Sequence, residues 1–147
     1  MEVRFLDIRD KYWNKTIEMA ENCSWRAGSS LGRKMRAKEF QDFEGVFVAI
    51  EEEKVIGFCT ITKTDYIPNC VYTPWIGFIF VDEKYRGNRI SEKIIKKALE
   101  YAKTKGSDKV YISTQEDNLY EKYGFKQIDS LKSYGDTLEK ILVFGIK

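Results

Sequence analysis

The residues of this chain whose types and spacing carry the most chemistry are Arg86, Gly87, Asn88, Arg89, Ile90 and Ser91. They stand between an aromatic and β-branched run, Trp75–Val81 (W-I-G-F-I-F-V), and a segment in which Ile90, Ile94, Ile95, Ala98, Leu99 and Ala102 recur at helical spacing. The pattern predicts strand, turn and helix, with Asn88 as the helix N-cap. A helix that starts directly after a strand leaves backbone N–H groups unpaired and the positive end of its dipole aimed at one point. The chemistry on offer is anion binding, and the expected ligand carries a phosphate or pyrophosphate.

These residues also carry a resemblance. V-D-E-K-Y-R-G over Val81–Gly87 and R-G-N-R-I-S over Arg86–Ser91, followed downstream by L-Y-E-K-Y-G-F over Leu119–Phe125, resemble the GNAT superfamily of N-acetyltransferases. The signature of that family after its fourth strand is Q/R-x-x-G-x-G/A. Arg89 and Ser91 depart from it by placing larger side chains at the two small-residue positions. The resemblance spans essentially the whole chain and implies the family fold: α/β (α+β), a central mixed, mostly antiparallel twisted sheet of about six or seven strands flanked by about four helices.

The resemblance further implies acetyl-CoA as cosubstrate, with no metal. Its pantetheine arm would pair with the backbone of Ile79, Phe80 and Val81, and its diphosphate would sit on the N–H groups of Gly87 to Ser91, in the loop that Arg86 opens. The implied reaction moves the acetyl group to a primary amine, on a small molecule or on a protein or peptide, by direct attack in a ternary complex. A lysine-like amine with a pKa of about 10.4 is neutral in only ~0.04% of molecules at pH 7, so it must lose a proton before it attacks. Tyr120 stands where many family members place a general-acid tyrosine for the departing thiolate. Many relatives carry a glutamate base on the fourth strand, but counting back from Val81 puts Trp75 at that position, and tryptophan accepts no proton. Trp75 is then either a core residue or a wall of the acceptor pocket, and the base stays unassigned. Glu116 and Asp117, near the end of the fifth strand, read as solvated loop charges. Trp25 and Arg26 fall in the region that varies with acceptor in the family and are the other substrate-pocket candidates.

Two further readings stay open. One is a toxin-like relative that acetylates aminoacyl-tRNA, for which Arg33, Lys34, Arg36 and Lys38 offer a short basic stretch. The other is a non-catalytic acyl-CoA-binding module. The absent strand glutamate argues for it and Tyr120 argues against it.

The elements that must hold these residues follow from periodicity and punctuation. Val3–Ile8 reads as a first strand and Tyr12–Asn22 as a helix. Ser24–Lys38 reads as a loop leading into a short basic helix. Val46–Glu51 and Val55–Thr62 form a hairpin across Glu52-Glu53-Lys54, and Asp65–Thr73 is a loop. Gly106-Ser107 ends the long helix before a strand over Lys109–Thr114. A short helix around Leu119–Tyr123 stops at Gly124, and strands over Phe125–Leu131 and Leu138–Ile146 complete the sheet.

With 147 residues the chain is expected to form one domain, 1–147, burying roughly 70% of the surface its unfolded form exposes. Lys plus Arg is 25 against 23 for Asp plus Glu, a balance that disfavours a polyanion as default partner. Cys23, Cys59 and Cys70 are odd in number and far apart, which predicts free thiols in a reducing cytoplasm. With no histidine to activate them they read as inert, and the same absence of histidine disfavours zinc. No run approaches the ~18 apolar residues of a membrane span, and the first residues lack a signal-peptide core. Pairing of two copies through sheet edges or C-terminal strands is left open.

Overall fold

The computed structural model describes residues 1–146. Seven strands, β1 (Glu2–Leu6), β2 (Gly45–Glu51), β3 (Lys54–Thr62), β4 (Trp75–Val81), β5 (Lys109–Thr114), β6 (Lys126–Lys132) and β7 (Leu138–Gly145), form one sheet in the order β1-β2-β3-β4-β5-β7-β6. Every neighbouring pair is antiparallel except β4 and β5. Two parallel strands cannot be joined by a tight turn. Here the crossover is the Arg86–Ser91 turn and the helix it starts.

Three helices cover the sheet, α1 (Tyr12–Asn22), α2 (Gly28–Arg36) and α3 (Ile90–Thr104). The sequence implies about four; the fourth, around 119–123, is a single 3₁₀ turn over Glu121–Tyr123, and another such turn spans Glu83–Tyr85. β2 is buried along nearly all of its length, as a strand covered on both faces must be. Its alternate residues divide between two cores. Phe47 and Ala49 join Ile94, Ile95 and Ala98 under α3, while Val46, Val48 and Ile50 join Trp13, Ile17, Leu31 and Met35 under α1 and α2.

Two expected boundaries move for identifiable reasons. β1 ends at Leu6 because the chain turns there: the Asp7 carboxylate accepts the Arg9 N–H at 2.8 Å, and Asp10 accepts the Tyr12 N–H at 2.9 Å, opening α1. Ile8, expected in the strand, is exposed. Asn88 is not the cap of α3. That place belongs to Arg89, held in the left-handed region at φ 57°, while the Asn88 amide donates backwards to the Tyr85 carbonyl at 3.2 Å.

Candidate active site

β4 and β5 hold together at one place and then part. Trp75 is registered against Tyr111, and the Tyr111 N–H donates to the Pro74 carbonyl at 3.0 Å; beyond this point no further register between the two strands exists among the described residues. The parting opens a cleft of about 1370 Å³. Its walls come from β4 on one side and from β5 with the segment around Tyr120 on the other.

The β4 wall is irregular. Phe58 pairs with Phe80, yet Thr60 pairs with Gly77, so β4 carries one residue too many for its partner. The excess is absorbed at Phe78, whose φ is 48°. A bulge of this kind breaks the ladder and bends the strand, and a bulky residue in the left-handed region costs on the order of 1–2 kcal/mol. The strained residue lies in the cleft wall with Ile79, Phe80 and Val81. Trp25 closes that side, stacked on Phe80 with ring planes 2° apart and centroids 5.7 Å apart.

At one end of the cleft stands the turn before α3. Its form comes from Asp82, which accepts the Lys84 N–H, and from Arg86, whose Nε donates to the Val81 carbonyl at 2.9 Å while its guanidinium covers the Phe80 ring. Gly87 then takes φ 88°, and a Cβ there would meet nothing within 4 Å. Only backbone conformation and approach from outside therefore call for glycine at this position. No side chain caps α3, which leaves its first N–H groups and its positive dipole end free for an anion. Arg89 turns aside to Glu92, with Nε to Oε1 at 2.6 Å, and the Ser91 hydroxyl bonds that of Tyr123 at 2.8 Å. Arg86, Gly87, Arg89, Ile90 and Ser91 line the cleft; Asn88 does not, and its side chain is exposed.

Tyr120 lines the opposite wall with only 8% of its surface exposed, its ring set edge-on to Tyr123 at 6.2 Å. Burial, with smaller contributions from Tyr123, Glu116 and Cys59, raises its phenol pKa far above the usual range. The hydroxyl thus keeps its proton at neutral pH. A buried phenol is a donor to whatever charge develops beside it.

Two of the three acceptor-pocket candidates lie away from the cleft. Trp75 is 1% exposed, its Nε1 donating to the Tyr72 carbonyl at 2.8 Å, in a small core with Ile67, Tyr111 and Ile141. It is a core residue. Arg26 is exposed and does not line the cleft, whereas its neighbour Trp25 does. Glu116, read as a loop charge, lines the cleft, and Asp117 pairs with Lys140.

Thr60, Glu139 and above all Asp65, near the start of the connection from β3 to β4, line the cleft and went unnoticed in the sequence. Asp65 takes a hydrogen bond from the Ser113 hydroxyl at 2.7 Å. Burial holds its carboxyl above the ordinary range against the lowering effect of the bonds from Ser113 and the Tyr66 N–H, with the Glu139 charge adding to the rise. The only local signal was a carboxylate directly after the polar run Thr62-Lys63-Thr64.

A profile of the acetyltransferase (GNAT) family matches residues 5–125. N-alpha-acetyltransferase 30 of Schizosaccharomyces pombe (strain 972 / ATCC 24843) is 28% identical over 93 residues, 60% of this chain and 61% of that protein, so the match spans under two thirds of the relative. An aminoglycoside 6'-N-acetyltransferase complexed with coenzyme A superposes with a TM-score of 0.78 at 14% identity, covering 100% of this chain and 98% of that one. A chain of the NatC complex bound to Gag peptide and CoA superposes with a TM-score of 0.71 at 18% identity over 100% of both chains. These structural likenesses share the fold. The chain belongs to the GNAT acetyltransferase family. No helix among the described residues is long and apolar enough to cross a membrane.

Proposed function

We propose that the protein moves the acetyl group of acetyl-CoA to the primary amine of a small molecule or peptide in a single ternary complex, with Tyr120 as general acid. The observation that carries this reading is the parting of β4 and β5, which joins an uncapped helix start at one end of the cleft to a buried, proton-bearing phenol in its wall. The residues present suit the cosubstrate. The N–H groups of Gly87 to Ser91 would hold the diphosphate, and the backbone of Ile79, Phe80 and Val81 beside the bulge would pair with the pantetheine arm. Acetyl-CoA supplies an activated thioester. Everything else is positioning and proton transfer by the chain.

The amine nitrogen, once neutral, bonds to the acetyl carbon as the carbon–sulfur bond breaks and its electron pair stays on sulfur. Tyr120 gives its proton to that sulfur and is restored by the proton the new amide nitrogen sheds, through water. Holding the two reactants in line accounts for most of the acceleration, and a placed acid adds about 10²–10⁴.

The aminoacyl-tRNA reading has less support. Arg36 is held by Glu21 through two bonds of 2.8 Å, and Lys34 lies over the Phe40 ring, so part of the basic stretch is engaged by contacts within the chain.

The test is thermal unfolding with acetyl-CoA, NAD and ATP, followed by thiol release across an amine panel. Acetyl-CoA at 100 times its dissociation constant should add about 2.7 kcal/mol of stability, the other two much less, and at least one amine should release thiol. No shift with any ligand at millimolar concentration overturns the cosubstrate assignment. A shift without thiol release from any amine makes the protein a binding module.

A further inference from the structure

The cleft is lined by Lys34, Arg86, Arg89 and Lys122, and beside them it carries carboxylates with no ion-pair partner. Asp65, Glu116 and Glu139 line it, and none of the three is in an ion pair among the described residues. Asp65 is the deepest of them. Ser113 on β5 donates to its Oδ2, and its Oδ1 lies 3.2 Å from the point where a Cβ on Gly77 would stand. The missing side chain at Gly77 is what keeps the space beside that oxygen open.

A second observation points to a ligand in that space. The hydroxyl of Thr60, a residue 1% exposed, has no hydrogen-bond partner and lies 3.6 Å from the same Cβ point. Buried polar groups are almost always paired, and an orphan hydroxyl costs about 1–3 kcal/mol. A donor seated between Thr60 and Asp65 would satisfy both. Glu139 on β7 stands further out, its Oε2 taken by Gln115 at 2.8 Å and Thr137 at 3.0 Å, with its charge uncompensated. At the lip, the rings of Tyr66 and Tyr134 are 5.6 Å apart, and both are exposed. A carboxylate, a hydroxyl acceptor and a second carboxylate, framed by aromatic faces, are complementary to an ammonium group attached to a further positive charge.

We infer that Asp65, with Thr60, seats the acceptor's reacting ammonium and takes its proton, and that Glu139 selects acceptors carrying a second positive charge. This rests on the acetyl-transfer reading and names the substrate class within it. The proton balance is simple. The ammonium N–H bond breaks, the proton goes to an Asp65 oxygen, the electron pair stays on nitrogen for attack, and Asp65 later yields the proton to water. The raised carboxyl pKa makes Asp65 a stronger base than an exposed aspartate. The group supplies what the fourth strand, with Trp75 in its core, does not.

The test is calorimetric titration of the free protein and of its CoA complex with 1,5-diaminopentane, pentylamine and 1-pentanol, which share an alkyl chain and differ in charge. Wild type should bind the diamine at least tenfold more tightly than pentylamine, and the alcohol not measurably. Asp65→Asn, which keeps the shape and an acceptor for Ser113, should lose at least tenfold for both amines with acetyl-CoA affinity unchanged. Glu139→Gln should erase the preference for the diamine while pentylamine binding persists. Equal binding of the diamine by wild type and Asp65→Asn, or no binding by wild type, overturns the inference. Failure of the acetyl-transfer reading shows separately, as absence of any acetyl-CoA effect on unfolding, and leaves the amine titration of the free protein readable.

Discussion

Replacing Tyr120 by phenylalanine removes one oxygen and nothing else from a ring that already packs in the core under α3. If the phenol protonates the departing thiolate, kcat should fall by about 10²-fold or more, on the order of 2.7 kcal/mol of transition-state stabilisation. KM for acetyl-CoA should hold, because the positions expected to grip the ligand lie on β4 and the turn before α3. A second readout separates chemistry from packing. Burial raises the folded-state pKa of Tyr120 above its unfolded value of about 10. The stability tied to that proton is present in full below pH ~10 and is lost as pH rises through the folded pKa. Tyr120→Phe should therefore flatten the alkaline fall of wild-type stability while leaving stability near pH 7 little changed. The assay pairs steady-state thiol release with denaturant unfolding at pH 7 and above pH 10. Near wild-type kcat in a variant that has lost the alkaline slope would refute the catalytic role, since the phenol would then be buried and idle.

Gly87→Val tests the turn: with φ 88° and open space around it, the fold should survive at a cost of about 1–2 kcal/mol, while acetyl-CoA affinity measured by calorimetry falls at least tenfold. Asp65→Asn should make the protein more stable at pH 7, because the wild-type carboxyl has its pKa raised on folding. Stability linked to its protonated form is complete below pH ~3.9 and lost as pH rises through the folded value, so the gain should vanish near pH 3.5 in urea unfolding curves. A loss of stability at pH 7 would mean that the Ser113 bond outweighs burial.

The fate of Trp75 shows where reading by position stops. Along β4, Val81 and Ile79 face the core under α3, and Phe80 and Phe78 face the core under α1 and α2. Strict alternation would put Ile76 with Phe78 and Phe80. Instead Ile76 lies under α3, because the bulge at Phe78 shifts the phase by one residue. Counting back from Val81 therefore crosses a break in register, and the residue reached, Trp75, lies in a third core against Tyr111. What sequence alone located well depends on local rules: the strand Trp75–Val81, the apolar face of α3, the glycine of the turn. What escaped depends on chain segments meeting across the sheet. Asp65 has no periodic or motif signal. It becomes a site residue only because β4 bulges, because Gly77 lacks a side chain at the point the carboxylate approaches, and because β5 brings Ser113 to the other oxygen. Arg86 was legible as a residue of the turn but the course of its side chain was not, since nothing in R-G-N-R-I-S says that its guanidinium bends back to the Val81 carbonyl rather than reaching outward. The strained bulge and the unpaired Thr60 hydroxyl both cost stability, and they lie on the same stretch of the β3–β4 ladder. A stable fold does not need both at one place, whereas a strand that must present backbone to one ligand and a polar floor to another does.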